Sequence, residues 1–108
     1  MKMKSEIKAS WLEDLRSGKY QQCTGELFDG KGYCCLGILE NVRRRTLGKR
    51  LLRAYESPTD ESILYASTAH WAGLTERDPV IADAALSAYN DEAKKSFAEI
   101  ADLIEAHL

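Results

Sequence analysis

The chain lacks several features that mark common classes of protein. None of its apolar runs approaches the roughly 20 residues that a membrane-spanning helix needs. The basic residues near its N-terminus are followed by no apolar block, so we expect no signal peptide and a cytoplasmic protein. The 108 residues, of which 44% are hydrophobic and 30% charged, are typical of one globular domain. We therefore take residues 1–108 as a single domain.

Motifs of the common catalytic and metal-binding classes are also missing. There is no C-x2-C or H-x3-H pair for zinc, no glycine-rich phosphate loop and no carboxylate pair typical of glycoside hydrolysis. We predict a protein without cofactor or metal that is not an enzyme. One alternative stays open, a thiol enzyme in which Cys34 or Cys35 is the nucleophile and His70 is the base.

The chain has only three cysteines, Cys23, Cys34 and Cys35, which is an odd number. Adjacent cysteines rarely bond to each other, because one peptide unit leaves their Cα atoms too close for the usual disulfide geometry. A disulfide from Cys23 to either of the others is geometrically feasible. In a cytoplasmic protein we instead expect reduced, buried thiols that pack as small hydrophobic groups.

Charges of opposite sign are separated along the chain. Residues 1–53 contain 12 Lys or Arg and 6 Asp or Glu, whereas residues 54–108 contain 3 and 11. Residues 43–53, here called the basic run, contain no acidic residue and six basic ones: Arg43, Arg44, Arg45, Lys49, Arg50 and Arg53. We predict that the basic run binds a partner. The alternative is a solvated helix end, where cations offset the helix dipole.

Hydrophobic periodicity and end signals predict three main helices. The first covers roughly residues 6–16 and ends at a Ser-Gly pair. The second runs from residue 35 to about residue 45, and its small residues, including Gly37, indicate that another backbone segment approaches its start closely. The last helix begins with the capping box formed by Ser96 and Glu99.

The remaining segments predict a hairpin and shorter helices. The pattern of residues 20–34 predicts an antiparallel hairpin whose turn is at Asp29-Gly30, a strong turn signal. Residues 50–56 and 62–66 are candidates for a further strand. A short helix ending at Gly73 is predicted to be capped by Ser67 or Thr68, and Asp78 is predicted to cap a helix over 79–89. The fold class is therefore α+β, with a small antiparallel hairpin or sheet packed against three to four helices.

Five short motifs are spread over most of the chain. They are LRSGKYQQ at 15–22, GYCCLGIL at 32–39, WAGL at 71–74, Asn90-Asp91 and SFAEIADLIE at 96–105. Together they resemble a widespread group of small proteins encoded by phages and prophages. The resemblance implies an accessory phage protein that acts in the cytoplasm of a bacterial host, and it supplies no catalytic residues. The basic run is more concentrated here than in that group.

These observations lead to two functional hypotheses. The first is a phage accessory protein that binds and modulates a bacterial host or defence macromolecule without catalysis, as an anti-CRISPR-like inhibitor would. The second is a nucleic-acid-binding module that uses the basic run to contact phosphates. No membrane partner is expected. Self-association stays open, because the basic run of one copy is complementary to the acidic second half of another.

Overall fold

The computed structural model describes residues 3–52 and 61–108. Within these ranges the chain forms five helices and one two-stranded sheet, in this order: α1 (Ser5–Arg16), α2 (Cys35–Thr46), α3 (Ala66–Ala72), β1 (Val80–Ile81), β2 (Ala84–Ala85), α4 (Leu86–Asp91) and α5 (Phe97–His107). The sheet is antiparallel. The predicted α+β class, with a small hairpin beside helices, is confirmed. None of the helices in the described ranges is both long and apolar enough to span a membrane.

Helix α2 lies at the centre of the fold. All of residues 35–42 are buried, so the first two turns of α2 pack on every side rather than along one stripe. Helices α1 and α4 contact α2, and α5 packs against both α1 and α4. The bounds predicted for the first two helices agree with α1 and α2 to within about one residue.

A close backbone crossing explains the glycine in α2. A Cβ atom on Gly37 would lie 1.9 Å from the carbonyl oxygen of Leu27. The backbone N–H of Cys34, the residue before α2, donates to the same carbonyl at 3.2 Å. The side chains of Leu27 and Phe28 are completely buried where this segment passes. The predicted close approach of a second backbone segment to the start of α2 is therefore confirmed.

A buried tryptophan joins α1 to α2. The indole Nε1 of Trp11 donates to the backbone carbonyl of Cys35 at 2.9 Å, and the side chain of Trp11 is completely buried. Since a buried indole N–H needs an acceptor, this hydrogen bond satisfies a group that would otherwise destabilise the core. It also sets the position of α1 along the start of α2.

The predicted capping box at the start of α5 is confirmed. The Ser96 hydroxyl accepts the backbone N–H of Glu99 at 3.2 Å, and the Glu99 carboxylate accepts the backbone N–H of Ser96 at 3.0 Å. Helix α5 then buries Ile100, Ala101 and Ile104. Its packing against α1 and α4 closes one side of the core.

The hairpin predicted within residues 20–34 is wrong. This part of the chain contains only isolated bridges, of Gln22 with Tyr33 in parallel and of Phe28 with Tyr33 in antiparallel orientation. The carboxylate of Asp29 accepts the N–H groups of the residues two and three further along, at 2.9 and 2.7 Å. The turn signal therefore makes a tight turn, but the flanking residues form a packed loop because few of them alternate between apolar and polar.

The hairpin forms later, inside the segment predicted as a helix over 79–89. Strands β1 and β2 pair with Val80 opposite Ala85. The turn between them places Ala82 at a φ of 56°, a left-handed conformation that alanine rarely adopts. The helix in this region, α4, begins only at Leu86.

Two predicted helix caps are also wrong. Asp78 does not cap a helix at the following proline, because its carboxylate accepts the N–H and the hydroxyl of Ser87 in the first turn of α4. Helix α3 starts after Tyr65, and neither Ser67 nor Thr68 caps it. Instead, the carboxylate of Glu40 in α2 accepts the N–H of Tyr65 and the hydroxyl of Thr68 at the start of α3.

The segments proposed as a further strand do not extend the sheet. Residues 62–65 form no strand, and α3 begins at the next residue. Residues 50–52 are not in a strand, and 53–56 lie outside the described residues. The predicted end of the short helix at Gly73, which has a φ of 80°, is confirmed.

Candidate partner-binding surface

The basic run begins in the last turn of α2 and continues beyond it. Five of its six cations lie in the described part of the chain: Arg43, Arg44, Arg45, Lys49 and Arg50. The N–H of Lys49 donates to the carbonyl of Arg44 at 2.7 Å, and the Arg44 guanidinium donates to the carbonyl of Arg50 at 3.3 Å. These hydrogen bonds fold the residues after α2 back onto the helix end. Arg53 lies outside the described residues.

The cations of the basic run differ in their burial and in their ion pairs with the rest of the protein. Arg45 donates to the carboxylate of Asp14 in α1 at 3.0 Å, and this hydrogen bond is the main reason that the pKa of Arg45 is raised. Arg43 is half-buried, and its Nε has no hydrogen-bond partner among the described residues. Lys49 and Arg50 are exposed. A partner can therefore reach this end of α2 without displacing the ion pair to Asp14.

An exposed apolar side chain lies among these cations. Leu47, the residue directly after α2, is 45% exposed, and it is one of two large hydrophobic residues exposed among the described residues. A protein partner gains free energy by burying such a side chain, whereas a phosphate backbone gains none. We call Arg44, Leu47, Lys49 and Arg50 together the basic surface.

A groove of about 380 Å³ is formed by the chain that leads into and away from α2. The described residues that line it include two lysines and two tyrosines but no carboxylate: Lys19, Tyr20, Gln21, Lys31, Tyr33, Asn41, Leu51 and Leu52. Its lining reaches Leu51, the neighbour of Arg50, so the groove begins where the basic surface ends. The loop between α1 and α2, α2 itself and the segment after α2 each supply part of the lining.

One wall of the groove is fixed by a buried asparagine. Asn41 is 1% exposed; its Oδ1 accepts the N–H of Leu52 at 2.9 Å, and its Nδ2 donates to the carbonyl of Leu52 at 3.3 Å. The hydroxyl of Tyr33 donates to the same carbonyl. Because both polar groups of the Leu52 backbone are held, this wall is formed before any ligand binds.

A tyrosine connects the groove to the ion pair on α1. The rings of Tyr20 and Tyr33 meet edge to face, with centroids 5.4 Å apart and an interplanar angle of 86°. Burial raises the pKa of the half-buried Tyr20, the charge of Asp14 raises it further, and nearby Arg45 opposes both. Tyr20 therefore lies between the groove and the Asp14–Arg45 pair.

The sequence predicted none of these groove residues as part of a site. Asn41 is the one with a local signal, since it and Glu40 are polar residues within the mainly apolar first turns of α2. Lys19, Lys31 and the two tyrosines belong to segments whose fold was predicted wrongly or left as connections. Their proximity depends on tertiary packing, which no spacing along the chain reveals.

The three cysteines are free thiols; Cys34 and Cys35 are buried, as expected, whereas Cys23 is only half-buried. Burial raises the pKa of Cys23 to about 12 and that of Cys34 to about 11, and it raises the pKa of Cys35 well above its usual range. Each sulfur hydrogen-bonds to a backbone group. A thiol that stays protonated at neutral pH is a weak nucleophile, so these contacts lend no support to a thiol site with His70.

A second buried asparagine, Asn90, links separate segments of the fold by hydrogen bonds. The Oδ1 of Asn90 accepts from the side chain of Gln22 at 2.8 Å and from the N–H of Cys35 at 3.2 Å. Its Nδ2 donates to the carbonyl of Cys23 at 2.8 Å and to the carboxylate of Asp91 at 2.7 Å. Asn90 thus ties α4 to the start of α2. Across residues 3–52 and 61–108, no three His, Cys, Asp or Glu side chains group so as to hold a metal ion.

Opposite charges from the two halves of the sequence meet where α1 packs against α5. The guanidinium of Arg16 lies 2.7 Å from the carboxylate of Asp102 and 3.0 Å from that of Glu105. These exposed pairs offset part of the charge separation seen along the chain. The ion pair beside the basic surface, between Arg45 and Asp14, instead joins two residues of the first half.

The fold and surface define a small α+β domain with a basic helix end and a preformed groove. A family model described as a domain of unknown function, DUF8296, matches residues 3–108. The chain therefore belongs to this family, and the matched region contains both the basic surface and the groove. No curated protein matches the chain, and no solved structure does.

Proposed function

We propose that the protein is a phage accessory protein that binds and modulates a bacterial host or defence macromolecule without catalysis, in the manner of an anti-CRISPR-like inhibitor. The observation that carries the binding role is the basic surface at the end of α2, where the exposed Leu47 lies in the chain between Arg44 and Lys49. The phage setting is supported by the motifs that resemble phage and prophage proteins, in particular residues 15–22 and 32–39.

Electrostatic and apolar features of the basic surface favour a protein partner with an acidic surface. Cations at the rim of an interface accelerate encounter with an oppositely charged partner and help to reject others. An apolar side chain in their midst adds affinity once it is desolvated. Helix α2 is fully buried over its first two turns, so the basic surface is presented by a rigid support.

The second candidate is a nucleic-acid-binding module. It is favoured by the number of cations that the basic run brings to one helix end, since each can contact a phosphate. The ion pair of Arg45 with Asp14 reduces the number available. This candidate predicts affinity for DNA or RNA that falls with salt, with a slope of about two on a double-logarithmic plot if Arg44 and Lys49 each contact one phosphate.

A comparison of two variants tests the proposal. The wild-type protein, the double variant Arg44→Gln/Lys49→Gln and the control Lys4→Gln are immobilised and exposed at low salt to a nuclease-treated bacterial lysate. Lys4 is an exposed lysine at the far end of α1. We expect specific host proteins to be retained by the wild type and the control, and about tenfold less of them by the double variant.

Equal retention by all three proteins would contradict a role for the basic surface. Retention from an untreated lysate that is absent from the nuclease-treated one, together with a salt-dependent mobility shift of a DNA or RNA probe, would favour the nucleic-acid candidate. The same probe gives a flat titration if the basic surface binds protein alone.

A further inference from the structure

We infer that the groove lined by Tyr20, Tyr33, Asn41 and Leu52 binds an acidic peptide segment of a partner protein, with one apolar side chain of that segment seated in the groove. The inference rests on the proposed function, and it specifies the chemistry of the partner. It follows from the size of the groove, the distribution of charge around it and the rigidity of its wall.

The size of the groove suits a side chain rather than a large ligand. Its volume of about 380 Å³ is near the lower end of the roughly 300–1,000 Å³ typical of ligand pockets. It is open along the surface, since half-buried Leu51 and exposed Lys19 both line it. An open groove of this size can receive one bulky side chain from an extended segment that continues past it on both sides.

The charge around the groove selects an acidic segment. Lys19 and Lys31 are exposed at its edge, and none of the lining residues in the described ranges 3–52 and 61–108 is a carboxylate. Lys49 and Arg50, which precede Leu51 in the chain, are also exposed. A segment with carboxylates on either side of an apolar residue would place each carboxylate near a cation and its apolar side chain between them.

The walls favour a peptide over a single-stranded nucleic acid. A base requires an exposed aromatic face for stacking, but Tyr33 is only 5% exposed and Tyr20 meets it edge to face. The other walls are the aliphatic side chains of Leu51 and Leu52. These surfaces complement an aliphatic or aromatic side chain by burial alone.

The rigidity of the groove lowers the entropic penalty of binding. Asn41 and Tyr33 together hold the backbone of Leu52 by three hydrogen bonds. Asn41 itself belongs to the fully buried part of α2. A wall that is already ordered in the free protein loses little conformational freedom when a segment binds.

The test is a titration of the full ¹⁵N-labelled protein with synthetic peptides, followed by NMR. One peptide consists of Asp and Glu residues with a single central Phe, and a matched peptide has Ser in place of Phe. We expect the Phe peptide to shift the amide signals of Lys31, Tyr33 and Leu52 and to bind about tenfold more tightly than the Ser peptide. Equal affinity of the two peptides, or shifts confined to Lys49 and Arg50, would overturn the inference.

Variants identify the groove as the site. Lys19→Glu/Lys31→Glu changes two exposed side chains at its edge and is expected to weaken Phe-peptide binding about tenfold or more. Lys4→Glu is the control, because it makes the same kind of change at the other end of α1. The dispersion of the amide spectrum shows whether each variant is folded. An unchanged affinity in the folded double variant would count against the groove.

A nucleic-acid probe and the lysate experiment separate the remaining outcomes. If an oligodeoxythymidine of similar charge shifts the groove signals and binds as tightly as the Phe peptide, the groove is not selective for peptide and the inference fails. If no peptide occupies the groove while Arg44 and Lys49 still determine the capture of host proteins, the inference fails and the proposed function stands. Peptide binding in the groove without any captured host protein would support the inference alone.

Discussion

The two ends of helix α2 differ in nearly every physical property. Residues 35–42 are all buried, and they contact α1, α4 and the backbone of Leu27. The last turn and the residues that follow are half-buried or exposed and carry the basic surface. One continuous helix thus has two different parts: the first is packed in the core on every side, and the last is held in place by that core while its surface stays accessible.

The largest expected effect comes from the start of α2. Gly37→Ala would normally stabilise a helix interior by about 1 kcal/mol, but here the new Cβ would lie 1.9 Å from the Leu27 carbonyl oxygen. We expect a loss of about 3 kcal/mol or more in the free energy of unfolding, or failure to fold. Urea denaturation measures it.

A glycine beyond the other end of α2 provides the control for that substitution. Gly48 has a φ of 69°, and a Cβ there would meet nothing within 4 Å. Gly48→Ala should therefore reduce stability by only about 1–2 kcal/mol, through backbone strain alone. Similar losses at Gly37 and Gly48 would contradict the proposed difference between the two ends.

The next largest effect is expected where the buried and exposed parts of α2 meet. Asn41→Ala removes both hydrogen bonds to the Leu52 backbone, and it should reduce the free energy of unfolding by about 1–3 kcal/mol. Tyr33→Phe removes only the hydroxyl that donates to the Leu52 carbonyl, so a smaller loss is expected. Denaturation of both single variants and the double variant gives their coupling. Additive losses would show that the two side chains act independently on Leu52.

A pH-dependent effect is expected at Glu40, the neighbour of Asn41. Its carboxylate is 2% exposed and accepts the N–H of Tyr65 at 3.0 Å and the hydroxyl of Thr68 at 2.7 Å. Burial raises the pKa of Glu40 above its usual 4.5, and the two hydrogen bonds oppose that shift only in part. The folded state therefore binds this proton more tightly than the unfolded state does.

The sign of the pH dependence follows from the raised pKa. The stability contributed by protonated Glu40 is fully present below pH 4.5 and is lost as the pH rises through the raised folded pKa. In Glu40→Gln this loss is absent, so wild-type stability should fall relative to the variant between pH 4.5 and neutrality. Urea denaturation across that range checks it. Parallel curves for the two proteins would show that Glu40 does not titrate differently on folding.

The smallest effect on stability is expected at the exposed end of α2. Arg44→Gln/Lys49→Gln removes two charges from side chains that are exposed or half-buried, and the change in the free energy of unfolding should stay within about 0.5 kcal/mol. Thermal or urea denaturation of the double variant measures this. A loss comparable with that of Asn41→Ala would show that the basic surface is part of the folding core rather than a binding surface.

The elements predicted correctly are those whose signals are local. The capping box of Ser96 and Glu99 and the apolar periodicity of α1 are properties of adjacent residues, and the structure contains both. Gly37 could be interpreted as a backbone crossing because small residues cluster beside it. In each case the interactions that decide the structure involve residues within about one helical turn, or the simple lack of a side chain.

The elements predicted wrongly depend on contacts with distant residues. The Ala-rich segment after Pro79 resembles a helix, but Ala82 adopts a positive φ that only its tertiary surroundings can impose. Asp78 does accept a backbone N–H at the start of a helix, as aspartate often does. That helix is α4, which begins eight residues later at Leu86 and not at Pro79. For the candidate site, the basic run was identifiable from charge alone, whereas the groove was not, because it is assembled from three separate segments.

The hydrogen bond between Trp11 and Cys35 allows unfolding of this protein to be followed by its own fluorescence. The Trp11 indole is shielded from solvent and reports directly on the junction of α1 and α2, while Trp71 on α3 is half-buried. When this junction opens, water reaches the Trp11 ring and its emission moves to longer wavelength. The protein thus contains a built-in optical reporter, and its unfolding can be followed without attaching any dye.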